Sequence, residues 1–304
     1  MKAQGKAKKI ELCESDYCAI FDEIPENDGF VRAMRITHKA ALSHTGYQHY
    51  MRLDDFAKMM KSRTFWLSRL DSPALNDWNE FGKYGSSYGW KRTYIGCFSY
   101  GRSESAAMWK MYCQPDENAV RVLISPSGLK AWNKQLRKVK TLCAYPIREN
   151  GKKPCPGCRR VQVKAAGFTD VLYVSMNGND ERHDDSGYMR WNGHGVRISD
   201  LRQWVSCKGV EGFVKDLAWQ YEQETRLFVV LKNEQCKARR LAIPIPDEVF
   251  KSMSFALSPW LPDKEVDFIR KGIEDLFESE GLPRPRTIRQ SQLTGALNAK
   301  AWKR

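Results

Sequence analysis

Trp219-Gln220-Tyr221-Glu222-Gln223-Glu224-Thr225-Arg226-Leu227-Phe228 is the stretch on which the reading of this chain turns. Taken as a strand, its period of two places Glu222, Glu224 and Arg226 on one face and Tyr221, Gln223 and Thr225 on the other. Two carboxylates so close repel each other. They are tolerated in solvent or beside a cation, and in a cleft they support acid/base work or a grip on ribose hydroxyls. The plainer alternative is an exposed strand face salt-bridged to Arg226.

Outward from that stretch, further strands are predicted at residues 47–52, 64–68, 93–99, 119–124, 171–174 and 238–244. Helices are predicted over 53–60, 127–140 and 264–279, with a shorter one from a Ser103 cap to Tyr112. Residues 72–89 and 176–195 are rich in turn formers and read as loops. No internal repeat is visible. The expected division is an N-terminal extension (1–45), one α+β domain (46–292) and a basic tail (293–304). At 304 residues with 42% hydrophobic content and 12% aromatic content, the chain can bury a sizeable core and is unlike a disordered polyelectrolyte. No apolar run is long enough for a signal peptide or membrane span, which predicts a cytoplasmic protein.

Charge is concentrated. The net value is +14, and residues 130–164 hold eleven Lys/Arg against Glu149 alone. Such clusters gain affinity for polyanions by displacing counterions from phosphates, so a nucleic acid is the expected partner, with Lys152, Lys153, Arg159 and Arg160 as contacts. The same segment carries Cys143, Cys155 and Cys158. The CxxC spacing across Pro156-Gly157 suits a zinc knuckle, with a fourth ligand from Cys113, His183, His194 or Cys207; reduced thiols are the alternative. His38, His44 and His49 have no partner pattern. Trp109 and Tyr112, at i and i+3, are either a stacking pair or core. Asn76, Asp77 and Glu80 either order a loop beside a cleft or simply form a turn. The tail from Gly281 adds six Lys/Arg and no acid.

The order FWLSRL (65–70), LNDWNE (75–80), YIGCFS (94–99), MWKMY (108–112) and WQYEQETRLF (219–228) resembles the bacterial family called domain of unknown function 2971. The likeness spans roughly 46–292. That family in turn resembles the ADP-ribosyltransferase fold, which implies a split β-sheet core with surrounding helices and, here, an inserted basic Cys-containing arm. In the arginine-serine-glutamate class of those enzymes, the late strand carries Glu-x-Glu. By that resemblance Glu224 is the catalytic carboxylate, stabilising the ribosyl cation left as nicotinamide departs, and Glu222 serves the acceptor. Arg52 would be the first-strand contact with NAD, with Tyr50 or His49 as alternatives, and Ser68 would stand on the serine strand; the Trp109 and Tyr112 pair, in its stacking alternative, would meet nicotinamide or adenine. Ser68 lacks the Ser-Thr-Ser triplet of that class.

The function so implied is NAD-dependent ADP-ribosyl transfer to a nucleic acid, RNA before DNA, by a toxin or phage-defence effector with a neutralising protein partner. Other readings stay open: an RNA-binding or regulatory protein on the same fold, or a protein-directed transferase or NAD hydrolase.

Overall fold

The strands TYIGCFSY (93–100) and ETRLFVVL (224–231) are buried along nearly their whole length, as strands covered on both faces are. The computed structural model describes residues 37–72, 91–113, 118–145, 159–174, 188–191, 194–197, 212–232 and 238–297. In chain order these form β1 (Tyr47–Arg52), α1 (Leu53–Ser62), β2 (Thr64–Arg69), β3 (Thr93–Tyr100), α2 (Ala106–Cys113), β4 (Ala119–Ile124) and α3 (Pro126–Leu136). There follow β5 (Thr141–Tyr145), β6 (Arg159–Asp170), β7 (Leu172–Val174), β8 (Tyr188–Trp191), β9 (His194–Arg197), β10 (Val214–Asp216) and a 3-10 helix over Leu217–Glu222. The chain then runs through β11 (Glu224–Leu231), β12 (Arg240–Pro244), α4 (Asp247–Phe250), β13 (Ser254–Leu257), α5 (Asp263–Ser279) and β14 (Thr287–Gln290).

The strand order is β11-β6-β5-β12-β2-β3-β1-β4-β13-β14, and β11 pairs with β3 as well. That second pairing closes six strands, β11 through β3, into a barrel. Along its other edge β3 is shared: Tyr94 and Ile95 face β2, whereas Ser99 and Tyr100 face β1. The sheet therefore splits between β1 and β2, and β1-β4-β13-β14 leaves the barrel as a wing. Gly96 sits at the split because a Cβ there would lie 2.4 Å from a ring carbon of Phe65. The α+β class and the split sheet are as expected.

Inward-facing Phe65, Phe98, Trp132 and Phe168 fill the barrel, with Phe65 and Phe98 stacked at 5.0 Å between centroids. Helix α1 buries Phe56, Met59 and Met60, spaced i, i+3, i+4, and stops at Arg63 in the left-handed region. Helix α5 buries Val266, Ile273 and Phe277, and Phe277 packs edge-on to Phe255 of β13 at 5.6 Å.

Several expectations need correction. Helix α2 starts after Ser105, whose Oγ accepts from the Met108 N–H, so the cap is Ser105 and not Ser103. Helix α3 is capped by Ser125 and ends at Leu136. The region 176–195, read as one loop, includes β8, which pairs with β9. The tail is partly built into the fold: β14 pairs in parallel with β13, and the Leu297 carbonyl accepts from the Trp260 indole at 3.1 Å. The basic segment 130–164 is not wholly an insertion: it takes in the end of α3, all of β5 and the start of β6, and β5 pairs with β6 and β6 with β11. Residues 1–36, 73–90 and 146–158 lie outside the described residues, as does the final stretch 298–304; they take in Lys152, Lys153, Cys155 and Cys158.

Candidate active site

Strand β11 begins at Glu224, not earlier. Glu222 closes the 3-10 helix, and Gln223 between them takes a left-handed φ of 48°. That conformation is uncommon outside glycine; here the Gln223 carbonyl accepts from Tyr100 N–H and its own N–H donates to the Gln220 carbonyl. The turn aims both carboxylates at one cation. Lys215 Nζ lies 2.5 Å from Glu222 Oε2 and 3.5 Å from Glu224 Oε2. Arg226, two residues along β11, grips Glu224 with both Nε (2.8 Å) and Nη2 (3.0 Å).

Lys215 reaches this point because β10 pairs in parallel with β7, directly after the end of β6. Gly212 precedes it at φ 82°, close enough to Leu70 that a Cβ would meet its methyl at 2.7 Å, and its carbonyl accepts from Arg226 Nη1 at 2.6 Å. Tyr173 of β7 takes the Glu224 N–H on its hydroxyl at 2.9 Å. Glu222 and Glu224 are 2% and 3% exposed. The structure thus rules out an exposed strand face, while the ion pair with Arg226 is present as that alternative required.

Burial works to raise the Glu224 carboxyl; Arg226 and Lys215, together with hydrogen bonds from Arg226 and Cys97, outweigh it and hold it at about 2. Burial pushes the neighbouring Cys97 thiol well up, and the Glu224 charge adds to that. The pair is therefore a fixed anion and a neutral donor. At the surface, Tyr112 reaches inward, its hydroxyl 3.4 Å from Glu222 Oε1, and the Tyr221 hydroxyl lies 3.3 Å from Met111 Sδ. Tyr112 and Tyr221 are 40% and 49% exposed. Two exposed rings beside a buried anion make a ledge for a planar ligand.

Register places the other expected residues. Glu224 pairs with Ser99, and Ser99 with Gln48, so Gln48, Tyr50 and Arg52 on β1 share the face of Glu224. Ser68 pairs with Ile95, also on that face. Arg52 is exposed and Ser68 half-buried. Tyr50 is packed edge-on against Trp109 at 5.0 Å, its hydroxyl donating to Gln48 and accepting from Ser105 N–H. Trp109 is fully buried, with its indole on Glu104, and so serves the core and offers no stacking surface. His49 points the other way, into the barrel, against the Cys97 carbonyl.

Lys215, Tyr173, Cys97 and Ser99 were not legible in advance, because each arrives through pairing across long sequence separations. His44 was also missed: it lies 2.6 Å from the buried Asp170 and stacks on Tyr100 at 3.9 Å. Of the nucleic-acid and zinc residues, Arg160 is exposed on β6, Arg159, Cys143 and His194 are backbone positions of β6, β5 and β9, and Lys152, Lys153, Cys155, Cys158, His183 and Cys207 lie outside the described residues. Cys113 lies in the apolar cluster of Tyr50, Met108 and Trp109. Among the described residues no group of three or more His, Cys, Asp or Glu is placed to hold a metal. Nor is any helix among them long and apolar enough to cross a membrane.

No family model and no curated protein matches the chain, so the resemblance to domain of unknown function 2971 rests on motif order alone. Among solved structures, the chain is similar to DarT of Thermus sp. 2.9 in complex with NAD+, at 11% identity and a TM-score of 0.34. That likeness covers 81% of this chain and 94% of the other. It is also similar to the same protein in complex with carba-NAD+, at 11% identity and a TM-score of 0.32, over 82% and 96% of the two chains. At those scores the likeness decides nothing about activity.

Proposed function

We propose that this chain is an NAD-dependent ADP-ribosyltransferase acting on a nucleic acid, RNA before DNA, as a toxin or defence effector that a protein partner neutralises. The observation that supports the reading best is Glu224: a carboxylate held ionised by Arg226 and Lys215, on the sheet face that also carries Arg52 and Ser68. NAD supplies a glycosidic bond whose cleavage releases neutral nicotinamide and leaves positive charge on the ribose. A fixed carboxylate stabilises that charge without reorganising as it develops. Glu222 takes the proton of the attacking acceptor group, and Tyr112 and Tyr221 flank the entrance. Arg52 and Ser68 hold the dinucleotide.

Nucleic acid is favoured by the concentration of charge in residues 130–164, with Lys152, Lys153, Arg159 and Arg160 as phosphate contacts. Reversing those four to Glu is expected to weaken RNA binding and reduce the log–log salt slope by about 0.7 per lost contact. Basal NAD cleavage should persist. An unchanged slope would turn the reading toward a protein acceptor. A zinc knuckle at Cys143, Cys155 and Cys158 predicts close to one zinc per chain, lost in the Cys155→Ser, Cys158→Ser variant; metal content near zero leaves reduced thiols.

One observation favours a second reading, a nucleic-acid-binding or regulatory protein on this fold. Both carboxylates are already paired and buried, as a structural ion network would be. Incubation with labelled NAD and total RNA, DNA and protein separates the two. Label in RNA supports the transferase; salt-sensitive RNA binding without NAD turnover supports the binding protein.

A further inference from the structure

Along the wing, the rung that starts at Glu224 continues from Ser99 and Gln48 to Leu123, Ser254 and Thr287. The next rung on the same face is Tyr50, Arg121, Ala256 and Arg289. At the far end of these rungs lies a cavity of about 360 Å³ lined by Arg102, Ser103, Arg121, Thr287, Arg289 and Gln292 among others. That volume is within the range of small-ligand sites. No acid is among the described residues that line it.

Arg121 is the unusual member. It is 2% exposed in the middle of an otherwise aliphatic strand. One guanidinium nitrogen, Nη1, donates to Gln48 Oε1 at 3.0 Å and to the Arg102 carbonyl at 3.2 Å. Among the described residues its Nε has no hydrogen-bond partner. A buried donor left unmade costs on the order of 1–3 kcal/mol, more when charged, so such a group marks a missing acceptor. The nearby carboxylate cannot supply it: Glu104 already accepts from Arg289 Nη2, the Trp109 indole, Ser291 Oγ and Gln292 N–H. Three guanidiniums thus converge with one fully committed acid.

We infer that this cavity is a phosphate-binding site, in which Arg121 and Arg289 form the floor, Arg102 the rim, and the Ser103, Thr287 and Gln292 side chains complete the donor set. Guanidiniums suit the oxygens of a phosphate, which they bind in pairs of charge-assisted hydrogen bonds. The site is independent of the transferase reading, because it uses neither Glu222 nor Glu224. The phosphate belongs either to a nucleic-acid strand or to a free nucleotide.

Calorimetric titration of the full chain with inorganic pyrophosphate tests this. Saturable binding at one site is expected, weakened about tenfold or more by Arg121→Gln and several-fold by Arg102→Ala, while Lys271→Ala on α5 leaves it unchanged. Arg102 is exposed, so that variant decides the matter if Arg121→Gln fails to fold. A short single-stranded RNA weakened by Arg102→Ala to the same degree assigns the phosphate to a strand. RNA affinity unchanged alongside weakened ADP and pyrophosphate assigns it to a free nucleotide. Absence of saturable pyrophosphate binding, or equal affinity in the native chain and both arginine variants, overturns the proposal.

Discussion

The carboxylate cluster and the arginine cavity lie on one face of one sheet, yet they handle buried charge in opposite ways. Glu222, Glu224, Lys215 and Arg226 form a closed group, two anions against two cations, with Glu224 held on both oxygens. Arg102, Arg121 and Arg289 carry three positive charges toward a cavity with no acid among the described residues of its lining. The difference separates two kinds of polar site. A balanced network fixes a charge in place, as electrostatic stabilisation of a developing cation requires; an unbalanced one needs an anion to complete it.

Lys215→Met should show the largest effect. It leaves Glu222, 2% exposed, without its cation, and loss of one partner from a buried pair costs about 3–5 kcal/mol. Arg121→Met should cost less than about 2 kcal/mol, since two hydrogen bonds of about 1 kcal/mol each are lost while a poorly compensated charge is removed. Urea denaturation of both variants checks the ranking. If Arg121→Met proved the more damaging, the cavity would be part of the structural framework.

Acid should break the balanced site specifically. Folding lowers Glu224 from 4.5 to about 2, so its contribution to stability is complete above pH 4.5 and is lost as pH falls toward 2. Glu224→Gln should remove that contribution, giving a shallower decline of the denaturation midpoint across the same window. An unchanged acid limb would show that Glu224 is not held low.

The smallest effect is expected at the turn between the two glutamates. Gln223 holds φ 48°, which glycine adopts freely, so Gln223→Gly should stay within about 1 kcal/mol of the native stability. Gln223→Val should cost about 1–2 kcal/mol. Equal stability of the two would mean that the left-handed turn does not persist in solution.

Much of the barrel was legible because its strands announce themselves locally. TYIGCFSY and ETRLFVVL carry their own patterns, and β4 of the wing was bounded to the residue, but barrel strands β5 and β6 were missed because the charge and cysteines of 130–164 masked their alternation. The glutamates were legible for the same reason, being neighbours in sequence. Their cation was not: Lys215 sits in Val214-Lys215-Asp216, too short to read as a strand, and only pairing with β7 brings it to Glu222. Arg121 and Arg289 lie far apart in the chain and meet only through the β4-β13-β14 register. The tail looked like a solvated terminus because its charge outweighed the short Thr287–Gln290 strand and the Leu293 and Leu297 contacts with the Trp109–Trp260 cluster.

The central claim is that Glu224 is a fixed anion serving ribosyl transfer. It is tested most directly by incubating native and Glu224→Gln protein with NAD labelled on the adenylate moiety and with single-stranded RNA, then measuring label in RNA and nicotinamide released. Native protein should label RNA with equivalent nicotinamide release, and the variant, folded by circular dichroism, should be slower by about 10²–10³. Equal rates in the two proteins, or no nicotinamide release by the native chain with any polymer, would contradict the claim.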